Sequence, residues 1–327
     1  MGPDEAESTF PSFLRNVCLD LVGIIALADL PIVLERTALA GKAYWSDILI
    51  LCPGIHRQQL ATELNHGEYP ATAALTTGYV FRIENQATVY FLQKVGKTGC
   101  LTTLSVENAG RSRDGYPGLY RVIALLTSSS LGTLFIIDPW AMAIVGMLMV
   151  ARLLNILVIR SRSSGPGWKG VREPGVHGDL LILLSQDRWI RMQGLVDDLK
   201  AVTSGQWLSD ANFAESMTTS AATLLVYLAA ALTINASQTG KIAILLLLVV
   251  SSGLLAICNK SVDTLQMNGF HVRHKGKPIA YRRRLDLANQ LVEESGRDDW
   301  AIRLGMITPK RKANGKEQAA EEEEVTM

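Results

Sequence analysis

The sequence has few charged residues for its length and few cysteines. Only 19% of its 327 residues are charged, against about 25% in an average soluble domain. The net charge of +1 argues against a nucleic-acid partner, because such a partner needs a strongly basic face. The four cysteines show no CxxC spacing, so neither a disulfide framework nor a zinc site is predicted. The 48% hydrophobic content points instead to a membrane.

Motifs for nucleotide cofactors and for common hydrolases are also missing. The chain has no Rossmann glycine pattern, no complete phosphate loop and no G-x-S-x-G nucleophile elbow. HRQQLATELNHGE, residues 56–68, contains Glu63 and His66 at helical spacing, but it does not match the H-E-x-x-H pattern of zinc hydrolases. We therefore predict no cofactor and no metal site.

Two long apolar blocks are present, at residues 120–160 and 217–259. A helix needs about 20 mostly apolar residues to cross the hydrocarbon core of a bilayer. The second block has two uncharged runs separated by the polar turn NASQTGK, which predicts a membrane hairpin. In the first block Asp138 precedes Pro139, and proline disfavours helical geometry at the residue before it. This predicts another hairpin, with one kinked helix near 131–159 as the alternative.

Basic residues flank the apolar blocks and indicate their orientation. Arg121 and Arg160 border the first block and Lys260 closes the second, and such residues mark the cytoplasmic side. The predicted fold is mainly α: an integral membrane protein with about four transmembrane helices in two hairpins, plus small cytoplasmic α/β lobes. The predicted segments are a polar N-terminus (1–16), a membrane-associated or re-entrant helix (17–36), a cytoplasmic lobe (37–119), a membrane hairpin (120–160), a cytoplasmic amphipathic-helix segment (161–216), a second membrane hairpin (217–259), a cytoplasmic hairpin with helices (260–308) and a disordered tail (309–327).

Residues 17–34 are apolar but contain Asp20 and Asp29. An aspartate at the centre of a span costs about 2.5–3.5 kcal/mol. A membrane-associated or re-entrant helix is therefore favoured over a fifth crossing, which stays open.

The polar segments contain turn and helix signals. Glycines in residues 95–99 predict a β-hairpin within ATVYFLQKVGKTGCLTTLSV, and Asn268–Gly269 predicts another. A helix is predicted to end at Gly296, and the next one to begin at Asp298–Asp299.

EPGVHGDLLILLSQDRWIRMQGLVDDL, residues 173–199, concentrates polar side chains between the two apolar blocks. Apolar residues recur at three- and four-residue steps in its second half, which predicts an amphipathic helix lying against the membrane or the neighbouring lobes. The apolar stripe of this interfacial helix is Trp189, Met192, Leu195, Val196 and Leu199. Most polar residues of the stretch are then its solvated face.

Four residues are candidates for catalysis: His177, Asp179, Asp29 and Asp138. His177 and Asp179 lie in a predicted loop near the membrane surface; in the structural alternative, Asp179 caps the element that follows. Asp29 and Asp138 lie in or between apolar runs, where ionisable groups are costly and often functional.

Arg152 lies inside the first apolar block. A structural role is predicted for it, either paired with Asp29 or extended to the cytoplasmic interface. Asn235 begins a glycosylation sequon, which we predict to be unoccupied because a tight membrane turn is a poor acceptor.

Two stretches, GWKGVREPGVHGDLLILLSQDRWIRMQGLVDDLKAVTSGQWL (167–208) and YRRRLDLANQLVEESGRDDWAIRLGMI (281–307), resemble a group of uncharacterised fungal multi-pass membrane proteins. Some members are encoded beside secondary-metabolite biosynthesis genes. The resemblance implies a membrane location and a role associated with such a gene cluster, and it supplies no catalytic residues.

The expected function is an accessory or scaffolding role in a membrane, in fungal secondary-metabolite biosynthesis. The alternative is a membrane-embedded enzyme that acts on a lipophilic intermediate, so whether the chain is an enzyme stays open. The expected partners are the lipid bilayer and other membrane proteins or biosynthetic enzymes, with no nucleic acid.

Overall fold

The computed structural model describes residues 22–108, 118–164 and 169–309. The predicted polar N-terminus and residues 310–327 of the predicted tail lie outside this part of the chain. The helices are α1 (Val22–Ala26), α2 (Ile32–Leu39), α3 (Ala61–Leu64), α4 (Gln86–Val95), α5 (Gly118–Ile137), α6 (Pro139–Ser163), α7 (Val196–Thr203), α8 (Phe213–Leu232), α9 (Gln238–Ser261), α10 (Arg284–Ser295) and α11 (Asp299–Arg303). The strands are β1 (Ala71–Ala74), β2 (Val80–Arg82), β3 (Cys100–Asn108), β4 (His177–Leu184), β5 (Arg188–Leu195), β6 (Thr264–Met267), β7 (Phe270–His274) and β8 (Ile279–Ala280).

Four helices, α5, α6, α8 and α9, are long and apolar enough to cross a membrane. They form two hairpins, as predicted. Asp138 caps α6 between the first two helices, so the alternative of one kinked helix near 131–159 is wrong. The helices also expose large apolar side chains, as lipid-facing surfaces do; the most exposed are Leu125, Phe135, Ile136, Ile137, Phe213 and Leu224.

The four long helices pack together, and the short helix α1 lies against two of them. Helix α6 contacts α5, α8 and α9, and α1 packs against both α8 and α9. A Cβ atom at Gly23 of α1 would lie 2.2 Å from the carbonyl oxygen of Ala230, so only glycine permits this approach. The described part of the predicted 17–36 helix is thus α1, a bend, and α2, which continues towards the sheet domain.

Eight strands form one sheet in the order β2-β1-β4-β5-β3-β7-β6, and β8 also pairs with β3. The pairing of β3 with β5 is parallel, and the other pairings are antiparallel. Strands β1–β3 precede the first helical hairpin, β4–β5 lie between the hairpins, and β6–β8 follow the second. Strands from the three predicted lobes thus pair in a single sheet, so these lobes form one domain.

Helices cover both faces of this sheet. On one face α4, α7 and the end of α6 pack on a large apolar core. On the other, α10 and α11 cover a smaller core that includes Trp189 and Leu181. Gly178 of β4 faces the close approach of α7: a Cβ at Gly178 would lie 2.7 Å from Cδ1 of Leu199.

The β-hairpin predicted around residues 95–99 is wrong, because its first half is α4. The side chain of Asn85 caps this helix by accepting a hydrogen bond from Thr88 N at 3.0 Å, and one face of α4 fills the core. The other turn and helix predictions are confirmed. Asn268 and Gly269 turn between β6 and β7 with positive φ, and α10 ends at Gly296 in the left-handed conformation.

The interfacial helix predicted from Trp189 onwards is also wrong. Residues 188–195 form β5, which pairs along its length with β4, and helix α7 begins only at Val196. Trp189 and Met192 consequently lie on opposite faces of the sheet, and both are buried. Leu195 and Val196 are half-buried at the junction of strand and helix, while Leu199 lies in the core. Residues 188–195 form a strand because they pair with the apolar strand β4, and such pairing outweighs the local helical pattern.

Candidate functional site

A cavity of about 180 Å³ lies where the helical bundle meets the sheet domain. Its walls come from the bend between α1 and α2, the helix α2, the segment around Gly54, the region of α3, and α4. The lining residues are Asp29, Leu30, Pro31, Leu34, Glu35, Gly54, Arg57, Glu63, Leu64, His66 and Tyr90. Cavities near 150 Å³ can hold a group the size of benzene, so this one accommodates a ring or a lipid head group but not a drug-sized molecule.

The shape of the cavity depends on a close approach of two backbone segments. Gly54 has a φ of 87°, and a Cβ atom there would lie 2.1 Å from the carbonyl oxygen of Leu30. Only glycine allows both the conformation and the contact. Gly54 is followed by the 3₁₀ turn Ile55–Arg57, which brings Arg57 to the wall.

Arg57 holds two carboxylates of the cavity. Its Nη1 donates to Asp29, and its Nη2 donates to both oxygens of Glu63, at 2.5 and 2.7 Å. The side chains of Asp29 and Glu63 are 56% and 54% exposed, so solvent screens these ion pairs and their contribution to stability is small. The network is open to an incoming polar group.

A second polar network borders the cavity at the end of α9. The Tyr90 hydroxyl is hydrogen-bonded to Glu35, and burial followed by the charge of Glu35 raises the Tyr90 pKa. Lys94 donates to the carbonyl oxygens of Asn259, at 2.6 Å, and Val262. A cation at this position stabilises the C-terminal end of a helix. Burial lowers the pKa of Lys94, while the charges of Asp263 and Glu35 oppose that shift.

The charges of the lining are unequal. Asp29, Glu35 and Glu63 contribute three carboxylates, and Arg57 contributes one cation. The remaining walls include the apolar side chains of Leu30, Pro31, Leu34 and Leu64. The cavity is thus chemically suited to a small polar or cationic group attached to an apolar body.

His56 lies beside this cavity without lining it. Its ring centroid is 5.9 Å from that of Tyr227 on α8, and its Nδ1 is buried with no hydrogen-bond partner among the described residues. Burial lowers the His56 pKa, the charge of Asp29 opposes this shift, and Arg57 adds to it. The imidazole is therefore held in its neutral form.

The structure brings together some of the residues singled out from the sequence. Asp29 lines the same cavity as Glu63 and His66, which belong to the stretch HRQQLATELNHGE. Reasoning from the sequence missed Glu35 and Tyr90, since only the tertiary fold places them beside Asp29. Arg57 could have been suspected from the sequence, because it belongs to that same stretch.

His177 and Asp179 do not join this cavity. His177 is exposed at the start of β4, and Asp179 is held within the sheet domain. Arg191 donates to both carboxylate oxygens of Asp179, at 2.6–3.0 Å, and Gln193 donates at 3.0 Å. The Arg191 guanidinium also donates to Glu294 of α10 at 2.6 Å. These contacts fasten α10 to the sheet and give Asp179 a structural function.

Asp138 lies at the tips of the two helical hairpins. One carboxylate oxygen accepts hydrogen bonds from Trp140 N and Ala141 N at the start of α6. The other accepts from the backbone N and the hydroxyl of Ser237, which caps α9. Asp138 thereby joins the beginnings of two helices.

Asn235, the sequon residue, is exposed in the adjacent 3₁₀ turn Thr233–Asn235.

Arg152 is fully buried and neither pairs with Asp29 nor extends to the interface. Its Nε donates to the carbonyl oxygen of Asp47 at 3.2 Å, and the Asp47 carboxylate attracts its charge. Nη1 and Nη2 of Arg152 and Oδ1 of Asp47 make no hydrogen bond within the described residues. Nearby Cys52 is a neutral thiol, because burial raises its pKa to about 12.

Within the described part of the chain, no group of three or more His, Cys, Asp or Glu side chains is arranged to hold a metal ion. Comparison of the chain with protein-family models, with curated proteins and with solved structures finds no match in any of the three.

Proposed function

We propose that this chain is a multi-pass membrane protein with an accessory or scaffolding role, in which two helical hairpins hold an α/β domain on one side of a bilayer. The shared sheet carries this proposal. Strands from before, between and after the hairpins pair with one another, so each hairpin has to return the chain to the side from which it started. The exposed apolar side chains of the four long helices support their contact with lipid.

Basic residues favour the cytoplasm as the side of the domain. Arg121, Arg160 and Lys260 lie at the ends of the long helices that face the sheet, as expected for cytoplasmic flanks. Single cysteines introduced at Val171 and Lys277, at two exposed positions of the sheet domain, test the topology. A membrane-impermeant thiol reagent should label both from the same side of sealed vesicles, and labelling from opposite sides would exclude the two-hairpin arrangement.

An accessory role fits the contacts of the residues that first suggested catalysis. Asp138 and Asp179 are both engaged in structural hydrogen bonds. The resemblance to proteins encoded beside secondary-metabolite genes adds a biosynthetic setting to the proposal. Deleting the gene and profiling lipophilic metabolites tests that setting: a scaffold predicts a broad reduction of the pathway's products, and an unchanged profile would remove the metabolic link.

The second candidate is an enzyme that acts on a lipophilic intermediate, and the cavity between bundle and sheet domain favours it. Its polar groups would bind the head of such a molecule. For an enzyme, replacing Glu63 by Gln should cause one precursor to accumulate, while the protein level stays unchanged. Glu84→Gln, at an exposed position that does not line the cavity, is the matched control. A normal metabolite profile in Glu63→Gln cells would count against the enzyme.

A further inference from the structure

Two exposed tryptophans lie at opposite ends of α6. Trp140 is 49% exposed at its first turn, and Trp45 is 55% exposed beside Arg160 near its last turn. Trp140 and Arg160 are 20 residues apart, which is about 30 Å along a helix and equals the thickness of the hydrocarbon core. Tryptophan is enriched at both interfaces of a membrane. Trp45 and Trp140 thus have the interfacial position that the sequence suggested for Trp189.

The two ends differ in charge. At the Trp45 end, the guanidinium carbon of Arg160 lies 4.8 Å from the centre of the indole ring, and the exposed Lys42 lies 5.3 Å from the ring of Tyr44. At the Trp140 end, the neighbouring Asp138 is buried and engaged by backbone and hydroxyl donors. The exposed Lys42 and the half-buried Arg160 therefore accompany Trp45, whereas Lys241, in the first turn of α9 at the Trp140 end, is buried.

The two cations at the Trp45 end, Lys42 and Arg160, have N–H groups that are available to bind a ligand. Arg160 uses Nη1 to bond the carbonyl oxygen of Ala43 at 3.1 Å, which ties the loop to the end of α6. Its other N–H groups and the Lys42 ammonium make no hydrogen bond or ion pair within the described residues. The acids near this end are already engaged: Asp47 is buried and bonded to Tyr44 N, and the charges of Asp210 and Glu215 act on Arg162.

We propose that Lys42, Trp45 and Arg160 form a binding site for the phosphate-bearing head group of an anionic membrane lipid. The inference rests on the proposed membrane location. Trp45 would lie at the level of the head groups, while Arg160 and Lys42 supply charge and hydrogen bonds to phosphate oxygens. Each basic residue near an anionic membrane surface strengthens association with that surface by about five-fold.

Fluorescence quenching in vesicles tests this proposal with the full chain. The protein is reconstituted in phosphatidylcholine vesicles containing an equal, small fraction of either brominated phosphatidylserine or brominated phosphatidylcholine. The emission of Trp45 is obtained as the difference between the wild type and Trp45→Phe, and that of Trp140 is obtained in the same way. We expect the brominated anionic lipid to quench Trp45 several-fold more strongly, and both lipids to quench Trp140 equally.

Two variants locate the effect. Arg160→Gln with Lys42→Gln should abolish the preference for phosphatidylserine at Trp45. Lys42→Gln alone removes no protein hydrogen bond and should weaken the preference even if Arg160→Gln prevents folding. Equal quenching of Trp45 by both lipids, or a preference unchanged in the variants, would overturn the site. Quenching of neither tryptophan by any lipid would instead contradict the membrane placement.

Discussion

Asp138 accepts two hydrogen bonds from Ser237, one from its backbone N and one from its hydroxyl, both at 2.7 Å. The residues are 99 positions apart, and they belong to the tips of different hairpins. A Cβ atom on Gly240 would lie 2.1 Å from the same carboxylate oxygen, so the first turn of α9 is shaped around Asp138. This one carboxylate sets how the two hairpins meet.

We predict that Asp138→Asn lowers the stability of the detergent-solubilised protein by about 3 kcal/mol, because hydrogen bonds to charged groups contribute about 1.5–3 kcal/mol each. Asparagine can still cap α6 through its oxygen, but its amide nitrogen cannot accept from Ser237. Thermal unfolding measures the effect, with Asp210→Asn as an exposed control and Ser237→Ala as an intermediate case. Equal unfolding midpoints for Asp138→Asn and wild type would contradict the role of this residue.

Short sequence signals correctly predicted where several helices begin or end. Asp138 before Pro139 placed the break between α5 and α6, and Gly296 placed the end of α10. Pairings across the chain could not be predicted in this way. Trp189 lies in a helical pattern of apolar residues, and its pairing with the distant Leu101 of β3 could not be read from that pattern. The cavity could likewise be predicted only in part, since the packing of α4 is what places Tyr90 in the same cavity wall as Asp29.

The buried pair of Asp47 and Arg152 should be strongly coupled. Removing one partner leaves the other charge buried and uncompensated, which typically costs about 3–5 kcal/mol. We therefore expect Asp47→Asn and Arg152→Met each to be destabilising, and the double variant to be more stable than the sum of the two losses predicts. A double-mutant cycle on unfolding free energies measures the coupling. Strict additivity would show that the two groups do not stabilise each other.

The contact between Gly178 and α7 should not tolerate a methyl group. A Cβ atom there meets Cδ1 of Leu199 at 2.7 Å and Cγ2 of Val196 at 3.1 Å, and overpacking of this kind typically costs about 1–3 kcal/mol. Gly178→Ala should thus lower the unfolding midpoint. Gly253→Ala on α9, where the added carbon meets nothing within 4 Å, should cause no loss. If both variants unfold at the wild-type temperature, the described approach of α7 to β4 is wrong.

His56 should make stability depend on pH. Burial holds its pKa below the ordinary 6.5 in the folded protein, against the opposing charge of Asp29. The unfolded chain therefore takes up a proton first as the pH falls, and the folded state loses relative stability. The contribution of His56 is fully present above about pH 6.5 and is lost as the pH falls through the folded-state pKa.

Unfolding midpoints of the solubilised protein between about pH 8 and pH 5 test this prediction. His56→Asn cannot be protonated, so its midpoint should fall less on acidification than that of the wild type. His177→Asn, at an exposed position on β4, is the matched control and should keep the full pH dependence. Equal slopes for His56→Asn and the wild type would mean that the imidazole beside Tyr227 titrates alike in the folded and unfolded chains, and that its burial between the cavity and α8 carries no electrostatic cost.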